Sequence, residues 1–185
     1  PKFIPNEAIE ITLDDNLKFK TRLVDCVGYL VDNAIGYLED DMPRMVKTPW
    51  SEEEIPFEKA AEIGTKKVIT EHSTIGILVT TDGSITDIPR EDYIKAEERV
   101  VSELRELNKP FIILLNSNDP DSEYAKELAK KLSDKYNTSV MPINCEYLTI
   151  ENINTIFSKI LYEFPVDQIS IKFPRWIDGL SIEHP

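Results

Sequence analysis

The chain has 185 residues with 34 acidic against 21 basic side chains, a formal charge of -13 and an isoelectric point near 4.6, so its average field repels phosphate polyanions and argues against nucleic acid or bare anionic lipid as direct partners. A hydrophobic content of 41% beside 30% charged residues suits one well-cored globular domain and excludes a disordered chain. Two cysteines, Cys26 and Cys145, are too few for a disulfide framework and read as free thiols in apolar, strand-like settings, while no apolar run reaches the ~20 residues of a membrane span and no signal peptide is visible.

Residues 8–13 alternate apolar and polar through Ile9, Ile11 and Leu13. Turn chemistry follows at Asp14-Asp15-Asn16, and residues 17–24 alternate again, which predicts an antiparallel hairpin. Its second strand leads into Asp25-Cys26-Val27-Gly28. Residues 29–55 carry Gly36, Pro43, Pro49 and the acidic run Glu52-Glu53-Glu54, and they predict a long irregular connection of the kind kept for function. A helix is expected over 57–71, with Ala60, Ala61, Ile63 and Val68 on its buried side. The continuous apolar runs at 75–79 and 111–115 predict strands buried on both faces of a parallel sheet, and 139–143 predicts a third buried strand. Helices are expected between and after them, over 90–107, from a cap at Asp121 to 136, and from a cap at Thr149 to 164, where Pro165 stops the last. Strands alternating with helices imply βαβ units with helices on both faces.

Ligands of such sheets sit at the carboxyl ends of the strands, so three places carry the candidate chemistry. The first is Asp25-x-x-Gly28. In P-loop nucleotidases an aspartate here orients Mg²⁺, usually through water, and the glycine N–H meets the γ-phosphate, a role suited to a residue that lets backbone approach closely. The plainer reading is a strand followed by a tight turn. The second is Asn116-Ser117-Asn118-Asp119, at the place where guanine-binding members of the class carry N-K-x-D. Asn116 and Asp119 match; Ser117 stands where the lysine would lie over the base, which weakens a guanine preference. The plainer reading is a turn that caps the next helix, and both can hold. The third is the short loop at Asn144-Cys145-Glu146, where Cys145 is a candidate for nucleotide contact or simply a buried thiol. His72 and His184 are too far apart to suggest a metal site. Trp50 and Trp176 read as packing or interface residues.

The order hairpin, D-x-x-G, helix, buried strand, helix, buried strand with N-x-x-D, helix, strand, helix is that of translation-factor-type nucleotidases. It predicts a three-layer α/β fold of P-loop nucleotidase type with a mostly parallel sheet over 1–165, and the start of a middle domain or a packing arm over 166–185. The first strand, the G-x-x-x-x-G-K-[ST] loop and its helix, and a threonine that closes on Mg²⁺ and γ-phosphate are expected upstream of Pro1, so this chain alone is expected to bind ATP negligibly.

Longer strings carry a more specific resemblance. Arg22-Leu23-Val24-Asp25-Cys26-Val27-Gly28-Tyr29, Ala60-Ala61-Glu62-Ile63-Gly64-Thr65, Glu71-His72-Ser73-Thr74-Ile75-Gly76, Thr80-Thr81-Asp82-Gly83 and Leu161-Tyr162-Glu163-Phe164-Pro165 are similar to the stage IV sporulation protein A family. The resemblance implies an ATP hydrolase that uses ATP and Mg²⁺ and self-assembles into filaments forming the basement layer of the spore coat. It implies a mother-cell cytoplasmic location at the forespore outer membrane, with a small amphipathic membrane-bound sporulation protein and other spore coat proteins as partners. It gives Asp25 the Mg²⁺ shell, Gly28 the γ-phosphate, and Asn116, Ser117, Asp119 and Cys145 the neighbourhood of the base. A non-catalytic interaction module and a conventional GTPase are the alternatives.

Overall fold

The computed structural model describes residues 5–14, 17–39, 42–49 and 51–164. The expected arm at 166–185 lies outside them, as do Trp50 and Trp176. A three-stranded parallel sheet in the order β7-β8-β9 forms the centre, from β7 (Gly76–Thr81), β8 (Phe111–Asn116) and β9 (Val140–Ile143). The register runs from Gly76 opposite Phe111 to Thr81 opposite Asn116, and β9 sets Ile143 against Asn116. Three strand ends therefore finish level with one another.

The alternation of β8 explains the layers. Phe111, Ile113 and Leu115 face one way and join Leu78, Val101, Leu104, Ala129, Leu132 and Tyr136. Ile112 and Leu114 face the other way and join Ile143, Ile156, Phe157 and Ile160. The first face is covered by α2 (Arg90–Glu106), by α3 (Glu123–Tyr136) and, through Ile69, by the π-helical turn Val68–His72 that continues α1 (Phe57–Lys67). The second is covered by α4 (Ile150–Tyr162) and by a hairpin of β1 (Ile9–Asp14) and β2 (Leu17–Thr21), whose Ile11, Leu13 and Phe19 pack on the same cluster. This is the expected three-layer α/β fold.

Several local expectations are corrected. The hairpin's second strand stops at Thr21 rather than Val24, because Ile9 is the last β1 residue available to pair with it; Cys26 consequently sits in a half-buried loop, not a strand. The connection expected to be irregular instead folds into two small antiparallel ladders, β3 (Leu38–Glu39) with β4 (Met42–Pro43) and β5 (Met45–Thr48) with β6 (Ser51–Pro56). Ser122, not Asp121, caps α3, its hydroxyl accepting from Ala125 N at 3.2 Å. Thr149 caps α4 as expected, in a reciprocal box with Asn152. The buried side of α1 is Ala60, Ala61 and Thr65 rather than one that includes Ile63. On α2, Arg90 and Glu97 share the buried face with Val101 and Leu104. The π-helical turn ends where Lys109 Nζ reaches the carbonyls of Ile69, Thr70 and Ser73, supplying donors that the last helical turn lacks.

Candidate functional site

The carboxyl ends of β7, β8 and β9 are tied into one loop cluster. Asn116 Oδ1 accepts from Cys145 N at 2.9 Å, which joins the end of β8 to the loop after β9. Ser117 N donates to the Ile143 carbonyl at 2.9 Å, and Asp82 N donates to the Asn116 carbonyl at 3.2 Å. The Ser117 side chain is only 1% exposed. Its hydroxyl donates to the Asp82 carboxylate and accepts from Asp119 N at 3.1 Å. Ser84 completes the ring: its N–H and hydroxyl both donate to Asp82 Oδ1, at 2.9 and 2.6 Å, and its hydroxyl accepts from Asn118 N at 2.9 Å. The Asn118 amide in turn donates to the Ser84 carbonyl.

The asparagine of the N-x-x-D string therefore ties loops together, and the residue standing in for lysine is an interior brace rather than a surface over a base. The plainer reading holds in part: the Asp119 carbonyl accepts from both Ser122 N and its hydroxyl, which makes the turn, while the cap itself is Ser122. The Asp119 carboxylate is left exposed and, among the described residues, without a hydrogen bond or ion pair. Cys145 is half-buried and free, packs against the cluster of Ile143, Ile156 and Phe157, and burial pushes its thiol pKa up.

Burial alone would raise the Asp82 pKa, but the hydroxyls of Ser117 and Ser84 and the Ser84 N–H together hold it below the usual carboxylate range. Asp82→Asn should destabilise the domain by about 1–3 kcal/mol, since an amide cannot accept all three donors. A group whose folded pKa is depressed stabilises fully above its unfolded value of ~3.9, and that contribution is lost as pH falls through the folded value. Melting curves should show a constant gap between the two proteins near neutral pH that closes below about pH 4.

Asp25 and Gly28 are not members of this hydrogen-bonded ring. Asp25 is exposed, with no hydrogen bond or ion pair among the described residues, which leaves its carboxylate open to a cation there. No second cluster of metal-ligating side chains stands beside it among the described residues, and Mg²⁺ there would take its other ligands from water, phosphate or groups outside these residues. Gly28 has φ +84 and open space where a Cβ would sit, so the backbone conformation rather than crowding calls for glycine. Its N–H is held by the Thr65 hydroxyl at 3.0 Å. No hydrogen bond joins Asp25 or Gly28 to the Asn116–Cys145 cluster among the described residues.

Between the hairpin and the sheet lies an open cavity of ≈ 580 Å³, walled by Phe19, Ile75, Ile77, Phe157, Ile160 and Phe164 among others. Among the described residues β7 pairs only with β8, and Val79 on it is 55% exposed. Sequence reasoning found Asn116, Ser117 and Asp119 from their spacing at a strand end. It passed over Asp82 and Ser84, which look like ordinary turn residues, although the level strand ends of a parallel sheet were the signal that could have found them. Nothing in the sequence pointed to Thr65.

The level strand ends, the loops tied together at them and the helices on both faces define an α/β domain of P-loop nucleotidase type. Residues 1–165 match the family described as "Stage IV sporulation protein A, ATPase domain", and the chain belongs to that family. It is 48% identical over 184 residues to stage IV sporulation protein A of Clostridioides difficile (strain 630), and likewise to those of Bacillus anthracis and Bacillus subtilis (strain 168). Each match covers 100% of this chain but only 37–38% of the relative's length. No solved structure matches. No helix among the described residues is long and apolar enough to cross a membrane.

Proposed function

We propose that this chain forms the base-side and γ-phosphate-sensing part of an ATP hydrolase within a longer sporulation protein, hydrolysing ATP to drive self-assembly. The observation that carries this is the braced cluster of Asn116, Ser117, Asp82 and Cys145 at three level strand ends, where α/β sheets of this kind take nucleotides. Buried Ser117 leaves no long side chain to stack on a base there, which favours ATP over a guanine nucleotide. The edge of β7, unpaired among the described residues, and the mixed polar and apolar cavity beside it leave room for an extra strand. In this proposal a segment elsewhere in the longer protein fills that groove and brings the phosphate-binding loop with it. When bound, Mg²⁺ supplies charge neutralisation for the transferring phosphoryl group. Asp25 orients that ion's water shell and Asn116 holds the base-side loops. The assembled protein would sit in the mother cell against the forespore, with a membrane-bound tether and spore coat proteins as partners.

The test is steady-state hydrolysis of ATP and GTP by the full-length protein carrying this chain, with sedimentable polymer measured in parallel. ATP should be hydrolysed at least as well as GTP, and Asp25→Ala should lower the ATP rate at least about tenfold, because the metal's shell loses its orienting carboxylate. A strong GTP preference, or a rate indifferent to Asp25, would overturn the assignment.

A further inference from the structure

Thr65 sits in α1 with 2% of its surface exposed. A helical threonine commonly returns its hydroxyl to a carbonyl one turn back, and Thr70 does so, donating to the Lys66 carbonyl at 2.8 Å. Thr65 does not. Its oxygen accepts from Gly28 N at 3.0 Å and its hydrogen goes to the Gly28 carbonyl at 3.1 Å, across 37 residues of chain. One hydroxyl thus satisfies both polar groups of one glycine.

We propose that Thr65 is a positioning residue that holds the Gly28 N–H in reserve, releasing it only to a ligand bearing a γ-phosphate. The inference rests on the assignment of Gly28 as the γ-phosphate donor made above. An N–H directed at Thr65 Oγ1 is not available to a phosphate oxygen, so the two acceptors compete. A phosphate oxygen is charged and forms the stronger hydrogen bond, roughly twice that of a neutral acceptor, so a triphosphate can take the donor. A diphosphate offers no oxygen at that place and leaves the hydroxyl bond intact.

The surroundings allow the exchange to stay local. The N–H belongs to the peptide between Val27 and Gly28. Val27 is 64% exposed and nothing lies within 4 Å of a Cβ built on Gly28, so that peptide has room to turn about a φ that only glycine adopts easily. The next residue is fixed. The Arg99 guanidinium stands 4.0 Å from the centroid of the Tyr29 ring, and the Tyr29 hydroxyl donates to Glu103, while Arg99 also pairs with Glu62 on α1. Farther along, Asn33 donates to Asp92 at 2.8 Å. The Gly28 carbonyl keeps its bond from Thr65 as a pivot while the N–H changes partner.

The experiment uses the full-length protein with Thr65→Val, which keeps the side-chain shape without the hydroxyl, and Thr65→Ser, which keeps the hydroxyl. Dissociation constants for a non-hydrolysable ATP analogue and for ADP are measured by titration, with melting temperatures alongside. Removing the competing acceptor should tighten the ATP analogue about fivefold, the scale of one hydrogen bond's net contribution, and leave ADP unchanged. Thr65→Ser should stay within about twofold of wild type for both. An unchanged analogue affinity, or equal weakening of both nucleotides, overturns the role of Thr65. A wild-type protein that binds neither nucleotide would instead overturn the underlying assignment of function. Should Thr65→Val fail to fold, the wild-type protein labelled with ¹⁵N-glycine decides the matter: the Gly28 amide resonance should be the same free and with ADP and move with the ATP analogue, and a resonance that ignores the analogue refutes the exchange.

Discussion

Glu97→Ala should lower the unfolding free energy of this chain by about 3–5 kcal/mol, the loss expected when one partner of a buried ion pair is removed. Glu97 is 3% exposed on α2 and accepts from Arg90 Nη2 at 2.7 Å and from the Tyr136 hydroxyl at 2.8 Å. Burial, together with the bond to Glu97 and against the pull of Lys135, pushes the Tyr136 pKa up to about 12, so the phenol stays a donor throughout the physiological range. Among the described residues Arg90 has no hydrogen-bond partner for its buried Nε and Nη1. Without Glu97 the whole guanidinium would be a buried charge with nothing to offset it. Replacing the set together, by Arg90→Met, Glu97→Leu and Tyr136→Phe, should be close to neutral, because the desolvation cost leaves with the charges. Urea unfolding of wild type, Glu97→Ala and the triple variant checks both statements, and a Glu97→Ala loss below about 1 kcal/mol would refute the first. The network also matters to the site. Arg90 opens α2 directly beside Gly83, where φ is +90 and an added Cβ would stand 3.0 Å from Arg90 N. A loosened Arg90 would therefore disturb the loop that presents Asp82 and Ser84.

That network marks the limit of what apolar periodicity conveys. The runs at Ile75–Val79 and Phe111–Leu115 are uninterrupted, so strands buried on both faces and the layers around them follow from hydrophobic burial alone. The cap at Thr149 was equally visible, because a threonine ahead of an apolar helix has one dominant use. Arg90 and Glu97 were not visible as core residues. Their burial depends on each other and on Tyr136, 39 residues away from Glu97, and pairing at that separation leaves no local pattern. The same holds for Thr65 and Gly28. At the end of β8, spacing picked out Asn116 and Asp119 because the strand end dictates where they stand. The function of Ser117 as a brace emerged only when Asp82 was seen across from it. The small ladders within residues 38–56 were missed because two- to six-residue strands among prolines carry too few alternations to distinguish them from loop.

The groove beside β7 depends on how firmly the hairpin is held, and Phe157 is the residue that should decide it. A two-stranded hairpin is marginal in water by itself. This one is held through Ile11, Leu13 and Phe19 against the cluster of Ile156, Phe157 and Ile160. The Phe19 and Phe157 rings meet edge to face, with centroids 5.6 Å apart and planes at 60°, a geometry that adds about 0.5–1.5 kcal/mol to the burial itself. Phe157 is 6% exposed, so Phe157→Ala should cost about 3–5 kcal/mol. The loss should not be uniform. Amides of β1 and β2 should exchange with solvent much faster, while β8 keeps its protection, because the opposite face of the sheet has its own cluster around Leu104 and Ile113. Leu104→Ala, of comparable cost through the other face, should leave the hairpin's exchange relative to β8 unchanged. Four residues beyond the end of β2 comes Asp25, so in the full-length protein the detached hairpin should also reduce ATP hydrolysis. Equal acceleration of exchange in the hairpin and in β8 would show that Phe157 supports the whole fold, and the hairpin would then be an integral layer of the domain rather than a flap held by one aromatic contact.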